Sequence, residues 1–243
     1  MDTQIAAYLR AGRRDGVRIG PFVAGFSADR ANPYANYAVP DDDARPTASD
    51  VAALIGAFLD RDRKPRLEYL PSVSPHVRPL LEDAGFVAEG LLPLMTMSDL
   101  VEPPLVAGVE LVPADSDDTV FAMATALNLA YGEPPPTPAD VASHASSRDR
   151  GGFALLARSA TGEPIGGGFV TVPIDGVAEL AGIGVVPTWR RRGIAAAITA
   201  RLVLAARDLD VRVPFLMAAD DHAARVYTRV GFRTTGRVLH ISR

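Results

Sequence analysis

The 243-residue chain contains no cysteine, a single lysine (Lys64) and a single tryptophan (Trp189). Without cysteine there are no disulfides, thiol nucleophiles or thiolate-held metals. The four histidines, His76, His144, His222 and His240, show no H-x-x-x-H spacing, so no metal site is expected. Long apolar runs are missing too. The longest stretch without a charge, Thr119 to Gly132, has 14 residues and includes Asn128. A helical membrane span needs about 20. The N-terminal Met1-Asp2-Thr3-Gln4 has no apolar signal core, and the expectation is a cytoplasmic protein with no membrane partner. Net positive charge is also lacking. From Gly108 onward 14 acids face 14 arginines, and the residues before it carry the whole net charge of −4. Neither half has the basicity of a nucleic-acid binder.

What is present is a globular composition, 48% hydrophobic and 22% charged. The length suits two domains. Asp99-Leu100-Val101-Glu102-Pro103-Pro104 is the best boundary, because paired prolines stop any regular element. The expected organisation is a first domain over 1–98, a linker over 99–107 and a second domain over 108–243. In the second, the pattern predicts a strand at Val109 to Val112 and a helix capped near Asp115-Ser116 with an apolar stripe Val120, Ala124, Leu127, Tyr131. A short helix over Pro138 to Ser146 follows, then strands at Gly152 to Ala157, Ile165 to Val172 and Val177 to Val186. Asp175-Gly176 between apolar runs is a hairpin signal. A helix from about Arg191 to Asp208, a strand at Pro214 to Ala218, a helix at Asp221 to Val230 and a strand from Phe232 to Ile241 complete the chain. This order implies an α+β fold with a mixed sheet flanked by helices.

The chemically informative segment runs Ile183-Gly184-Val185-Val186-Pro187-Thr188-Trp189-Arg190-Arg191-Arg192-Gly193-Ile194-Ala195. A strand passes through a proline turn and three arginines to a glycine that opens an amphipathic helix. The first amides of a helix lack intrahelical partners and carry the positive end of its dipole. Three cations oppose that dipole, a conflict that an anionic ligand would resolve, and Gly193 lets backbone approach a pyrophosphate closely. The alternative is a solvated arginine cluster at an ordinary helix start. Two other phosphate motifs fail. No glycine precedes a lysine, and Gly182-Ile183-Gly184 lacks the third glycine of a dinucleotide fingerprint.

Arg190-x-x-Gly193-x-Ala195, preceded by Val185-x-Pro187, resembles the acetyl-CoA pyrophosphate loop of the GNAT N-acetyltransferase superfamily, [QR]-x-x-G-x-[GA]. Ala223-x-x-x-Tyr227-x-x-x-Gly231-Phe232 is similar to that family's later helix. The resemblance covers Val109 to the C-terminus in element order. It implies a GNAT-like fold and an N-acetyltransferase using acetyl-CoA as acyl donor. It further implies that Ile183, Gly184 and Val185 lie where a strand splays open and pair with the pantetheine arm. The pyrophosphate would be held by the segment Arg190, Arg191, Arg192, Gly193, Ile194, Ala195 and Ala196, chiefly by its amides. Tyr227 would be a phenol near the thioester sulfur, and Glu179 matches a strand glutamate used by some members as general base. Asp220, placed by the resemblance among the cofactor-binding residues, stands where many members have asparagine.

Acetyl transfer needs such parts on chemical grounds. An amine attacks as its free base, so a carboxylate should accept a proton directly or through water. A free backbone amide such as that of Val185 suits the oxyanion, and a phenol can protonate the departing thiolate. Plainer roles stand beside these. Tyr227 also falls on the apolar stripe Ala223, Val226, Tyr227, Val230, and Glu179 suits a solvent-facing strand. Ser143-His144 lacks the glycines of a nucleophile elbow. A non-catalytic acyl-CoA-binding sensor or regulatory module is the alternative function. The acceptor is expected to be a small amine, lined by the Leu127 to Pro136 segment and the inter-domain cleft. A homodimer is left open.

The first hundred residues weakly repeat the second half. At an offset of 146, Gly85-Phe86 matches Gly231-Phe232, preceded by a strand over Arg66 to Leu70 and a helix over Pro75 to Asp83. Leu81 replaces Tyr227. At an offset of 147, Ala38-Val39-Pro40 matches Val185-Val186-Pro187, but Asp41-Asp42-Asp43 follows in place of arginines. Three carboxylates would repel a pyrophosphate. A degenerate, partial copy that binds no cofactor is expected, with chance similarity as the alternative. Leu91, Leu92, Leu94, Met95 and Met97 suggest that this domain ends in a packed strand.

Overall fold

The computed structural model describes residues 1–13, 15–28 and 32–243. The chain forms two compact units, one of Met1–Leu94 with Thr235–Arg243, the other of Met95–Thr234. The C-terminal nine residues thus belong with the first unit, whereas the sequence pattern assigned them to the second. The reason is a long-range strand pairing described below.

In the second unit, β6 (Val109–Pro113), β7 (Phe153–Ser159), β8 (Pro164–Val170) and β9 (Val177–Val185) form antiparallel neighbours in that order. Strand β10 (Val213–Met217) joins β9 in parallel. Helix α4 (Asp117–Tyr131) starts in a capping box of Ser116 and Thr119 and ends at left-handed Gly132. Helix α5 (Pro138–Asp149) has a similar box, Thr137 with Asp140, and runs three residues beyond its expected end. Ile194, Ile198 and Leu202 of α6 (Ile194–Asp208) are buried among Ala178, Leu180 and Leu216 on one sheet face. Val120, Met123 and Leu127 of α4 pack with Ala154 and Leu156 on the other. Helix α7 (Asp221–Val230) lies against α6 on the first face.

Gly231 follows α7 with φ +107, and a Cβ there would sit 1.8 Å from the Asp99 carbonyl oxygen. The linker backbone crosses directly over it. Ser98 N–H donates to Gly231 O at 3.0 Å and Val101 N–H to Val230 O at 3.0 Å. The Gly-Phe pair is therefore a backbone crossing, with Phe232 filling the core beneath.

The first unit contains α1 (Asp2–Ala11), β1 (Val17–Ile19), β2 (Phe22–Gly25), β3 (Tyr37–Pro40), α2 (Ala48–Leu59), β4 (Arg66–Tyr69) and α3 (Val77–Asp83). Most of β5 (Val87–Met97) also lies here. Strands β1, β2 and β3 are antiparallel and β3 to β4 is parallel, the pattern of β7, β8, β9 and β10. Strand β11 (Phe232–Ser242) starts in the second unit and pairs antiparallel with β4, Leu239 opposite Tyr69 and Ser242 opposite Arg66. Arg66 is almost fully buried and pairs with Glu68 and, at 2.8 Å, with Glu89, while its Nη2 lies 3.0 Å from His240 Nδ1. Burial alone would push the Glu89 carboxyl up. Hydrogen bonds from Ser242, Arg66 and Lys64 outweigh it and hold Glu89 at about 2. Burial pushes the His240 imidazole below its usual range.

Candidate functional site

Two strands that start together come apart at the site. β9 and β10 pair through Val213 opposite Val177, Pro214 opposite Ala178 and Phe215 opposite Glu179, and pairing stops there although both strands continue. On its other side β9 stays attached to β8, with a bulge. Gly167 opposes Gly184 and Phe169 opposes Ala181, so three steps along β9 meet two along β8 and the extra residue lies at Gly182–Ile183. Beyond Glu179, the segment holding Ile183, Gly184 and Val185 therefore has an edge free of β10. Gly184 makes room for the end of α4, since a Cβ there would lie 3.1 Å from Leu127, 3.2 Å from Ala130 and 3.4 Å from Tyr131.

The loop after β9 departs from the expected helix start. Helix α6 begins at Ile194, not at Arg191. Arg191 (φ +63) and Gly193 (φ +83) are left-handed, a conformation no right-handed helix accepts. Pro187–Trp189 form one 3-10 turn before them. Ala197 N–H makes the first helical bond, to Gly193 O at 3.1 Å, and no backbone carbonyl among the described residues accepts from the amides of Arg191 through Ala196. Left-handed residues alternating with others, followed by the open end of a helix, form a concavity of N–H donors suited to a polyanion. The space a Gly193 side chain would need is empty save for Val106 at 3.9 Å. A left-handed arginine is a strained choice, of the kind that clusters at working sites.

The arginine side chains do different things. Arg190 donates from Nε to Val185 O at 3.0 Å and from Nη2 to Ala130 O at 2.7 Å, tying the end of β9 to the last turn of α4. Its guanidinium is engaged with the protein's own carbonyls. Arg192 reaches back to Thr188 O at 3.3 Å and lies 4.5 Å over the Trp189 ring. Arg191 is exposed beside them.

Tyr227 projects from α7, packs on the core and meets Phe232 edge-on with ring centroids 6.4 Å apart. Burial, helped by neighbouring Tyr131 and Asp220, pushes its phenol well above the usual range. The phenol is therefore protonated at neutral pH, with a hydroxyl able to donate. Tyr131 is the residue the sequence pattern misplaced. It sits at the helical spacing of the buried stripe, yet it is 57% exposed, and its hydroxyl donates to Ile183 O at 3.1 Å. Enclosure of the hydroxyl end raises Tyr131 to about 12, with Arg190 pulling the other way. Glu179 is the last residue of β9 paired with β10, and its backbone is held by Thr171 at 2.8–3.1 Å. Asp220 is the N-cap of α7, accepting from Ala223 N–H at 2.7 Å. That carboxylate is committed to a helix end.

Among the described residues, no group of three His, Asp or Glu side chains is arranged to hold a metal, and no helix is long and apolar enough to cross a membrane. Residues 120–232 match the acetyltransferase (GNAT) family. No curated protein matches the chain. Among solved structures, a GCN5-related N-acetyltransferase from Kribbella flavida is 24% identical, with 100% of this chain and 95% of that one covered and a TM-score of 0.82. One from Sphaerobacter thermophilus is 19% identical over 92% and 76%, with a TM-score of 0.65. A tandem GNAT protein from the clavulanic acid biosynthesis pathway is 14% identical over 99% and 93%, with a TM-score of 0.61. All three share the fold of this chain.

Proposed function

We propose that the chain, whose residues 120–232 match the acetyltransferase (GNAT) family, is an N-acetyltransferase moving an acetyl group from acetyl-CoA to the primary amine of a small molecule. One observation carries the proposal: the open amides of Arg191 through Ala196 begin just beyond the point where β9 has parted from β10. A pyrophosphate on those amides sends its pantetheine arm along the free edge at Ile183–Val185. The thioester then lies beside Tyr227. In this scheme Tyr227 donates to the departing thiolate, and the Val185 amide donates to the oxyanion. Glu179 takes the amine proton, directly or through water. The loop after α4, held by the Asn128 Nδ2 bond to Pro134 O at 2.6 Å, lines the acceptor side.

The first unit is proposed as a degenerate copy without a cofactor site. Strand β3 ends at Pro40 as β9 ends at Val185, but the carboxylates that follow already have partners in their own unit. Asp41 pairs with Arg18, Asp42 with Arg10 at 2.7 Å and Asp43 with Arg45 at 3.4 Å. Calorimetric titration of the whole chain with acetyl-CoA tests both statements. One molecule bound per chain is expected. No binding would refute the acetyltransferase proposal, and two equivalent sites would refute the degenerate copy.

A further inference from the structure

Three peptide planes at the end of β9 have fixed orientations. The Tyr131 hydroxyl holds the Ile183 carbonyl, and with it the plane joining Ile183 to Gly184. Arg190 Nε holds the Val185 carbonyl, and Val186 N–H, in the same plane, donates to Ile165 O on β8 at 2.9 Å. Between these two pinned planes lies the one joining Gly184 to Val185. Residues along a strand alternate their hydrogen-bonding direction. Val186 N–H faces β8, so Val185 N–H faces away from it, toward the edge β10 has left. Both neighbouring carbonyls on this stretch are already occupied by side chains, so a carbonyl arriving there meets a donor and no free acceptor.

We propose that Tyr131, with Arg190, is a positioning residue that fixes the Val185 amide as a hydrogen-bond donor to the acetyl carbonyl of bound acetyl-CoA. This rests on the acetyltransferase proposal and adds to it a residue from α4 that the loop and phenol motifs do not contain. Tyr131 acts through Ile183 rather than by touching the reacting atoms. The bulge at Gly182–Ile183 adjoins that plane, whose Gly184 end lies opposite Gly167 of β8, and the phenol anchors its carbonyl end, which faces the open edge. Arg190 completes the clasp by bonding Ala130, the residue before Tyr131, so α4, β9 and the start of the phosphate loop are held by three bonds.

The test compares acetyl-CoA with CoA, which lacks the carbonyl, by calorimetry on the full chain and on Tyr131→Phe. Wild type is expected to bind acetyl-CoA about 3- to 10-fold more tightly than CoA, the range of one well-made hydrogen bond. Tyr131→Phe should erase that preference while leaving CoA affinity within twofold. Infrared spectra of acetyl-CoA carrying a ¹³C carbonyl give a second readout. The thioester stretch should move to lower frequency on wild type and return toward its solution value on the variant. An undiminished preference and stretch in Tyr131→Phe would overturn the inference. So would equal losses of affinity for both ligands, which would mark Tyr131 as a support of the loop or fold. Failure of wild type to bind either ligand would instead refute the functional proposal, and this inference with it.

Discussion

Replacing Gly193 with valine probes the phosphate loop at its narrowest chemical requirement. The residue has φ +83 and ψ 0 and sits at the N-cap of α6 without a side-chain cap bond. Forcing an L-residue into this left-handed well costs about 1–2 kcal/mol, at the upper end for a β-branched side chain. At about 2–4 °C per kcal/mol for a chain of this size, the melting temperature should fall by roughly 3–6 °C. The fold has room, since the nearest atom to a built Cβ is Val106 Cγ2 at 3.9 Å. The ligand does not, because a branched side chain at the N-cap crowds an anion drawn onto the amides that follow it. Loss of two hydrogen bonds to a charged group, about 1.5–3 kcal/mol each, weakens binding by at least 100-fold. Gly193→Ala separates the two effects. It carries most of the strain and little of the bulk, so its melting temperature should drop nearly as far while its affinity falls only about 10-fold. Calorimetry with acetyl-CoA and thermal melts on the three proteins decide the matter. Unchanged affinity in a folded Gly193→Val protein would refute the anion-cradle account.

Tyr227→Phe keeps the edge-on contact with Phe232 and removes the donor, so kcat should fall about 10²-fold with acetyl-CoA affinity unchanged; steady-state kinetics showing an unaltered kcat would return Tyr227 to the core. Gly231→Ala places a methyl against the Asp99 carbonyl and strains φ +107, so a loss of roughly 3 kcal/mol or more is expected in denaturant melts. Stability should also decline in acid. The lowered folded values of Glu89 and His240 mean that the unfolded chain binds protons first, so the His240 contribution fades as pH falls below the usual imidazole range and the Glu89 contribution between about 4.5 and about 2. With Glu89 one-third exposed, its share is about 1–2 kcal/mol, and Glu89→Gln should flatten the acid limb of a stability–pH curve.

Local signals carried far in this chain, and non-local ones did not. The strand ending at Val185, helix α6 and helix α7 with its Gly-Phe end are legible because apolar spacing and glycine placement are local properties. Helix α6 starts three residues later than its apolar pattern suggests because left-handed Arg191 has no signature in its own side chain. Tyr131 fits helical spacing for the core, but one face of the last turn of α4 overhangs the bulge in β9, and that overhang depends on a contact 52 residues away. Arg190 belongs to a phosphate-loop pattern, yet its guanidinium finds carbonyls at Ala130 and Val185 that only the fold brings near. The pairing of β11 with β4, which draws Thr235–Arg243 into the first unit, joins residues some 170 positions apart. Strands of three or four residues such as β1 and β2 are too short for alternation to register.

The central claim is catalysis of acetyl transfer to an amine, and mass spectrometry of a pooled primary-amine library incubated with acetyl-CoA and the whole chain tests it most directly. The account predicts an acetylated product from at least one small amine, with stoichiometric release of CoA, and loss of that product in Gly193→Val. Binding of acetyl-CoA with no acetylated product from any amine in the pool would contradict it and favour a module that binds acyl-CoA without turning it over.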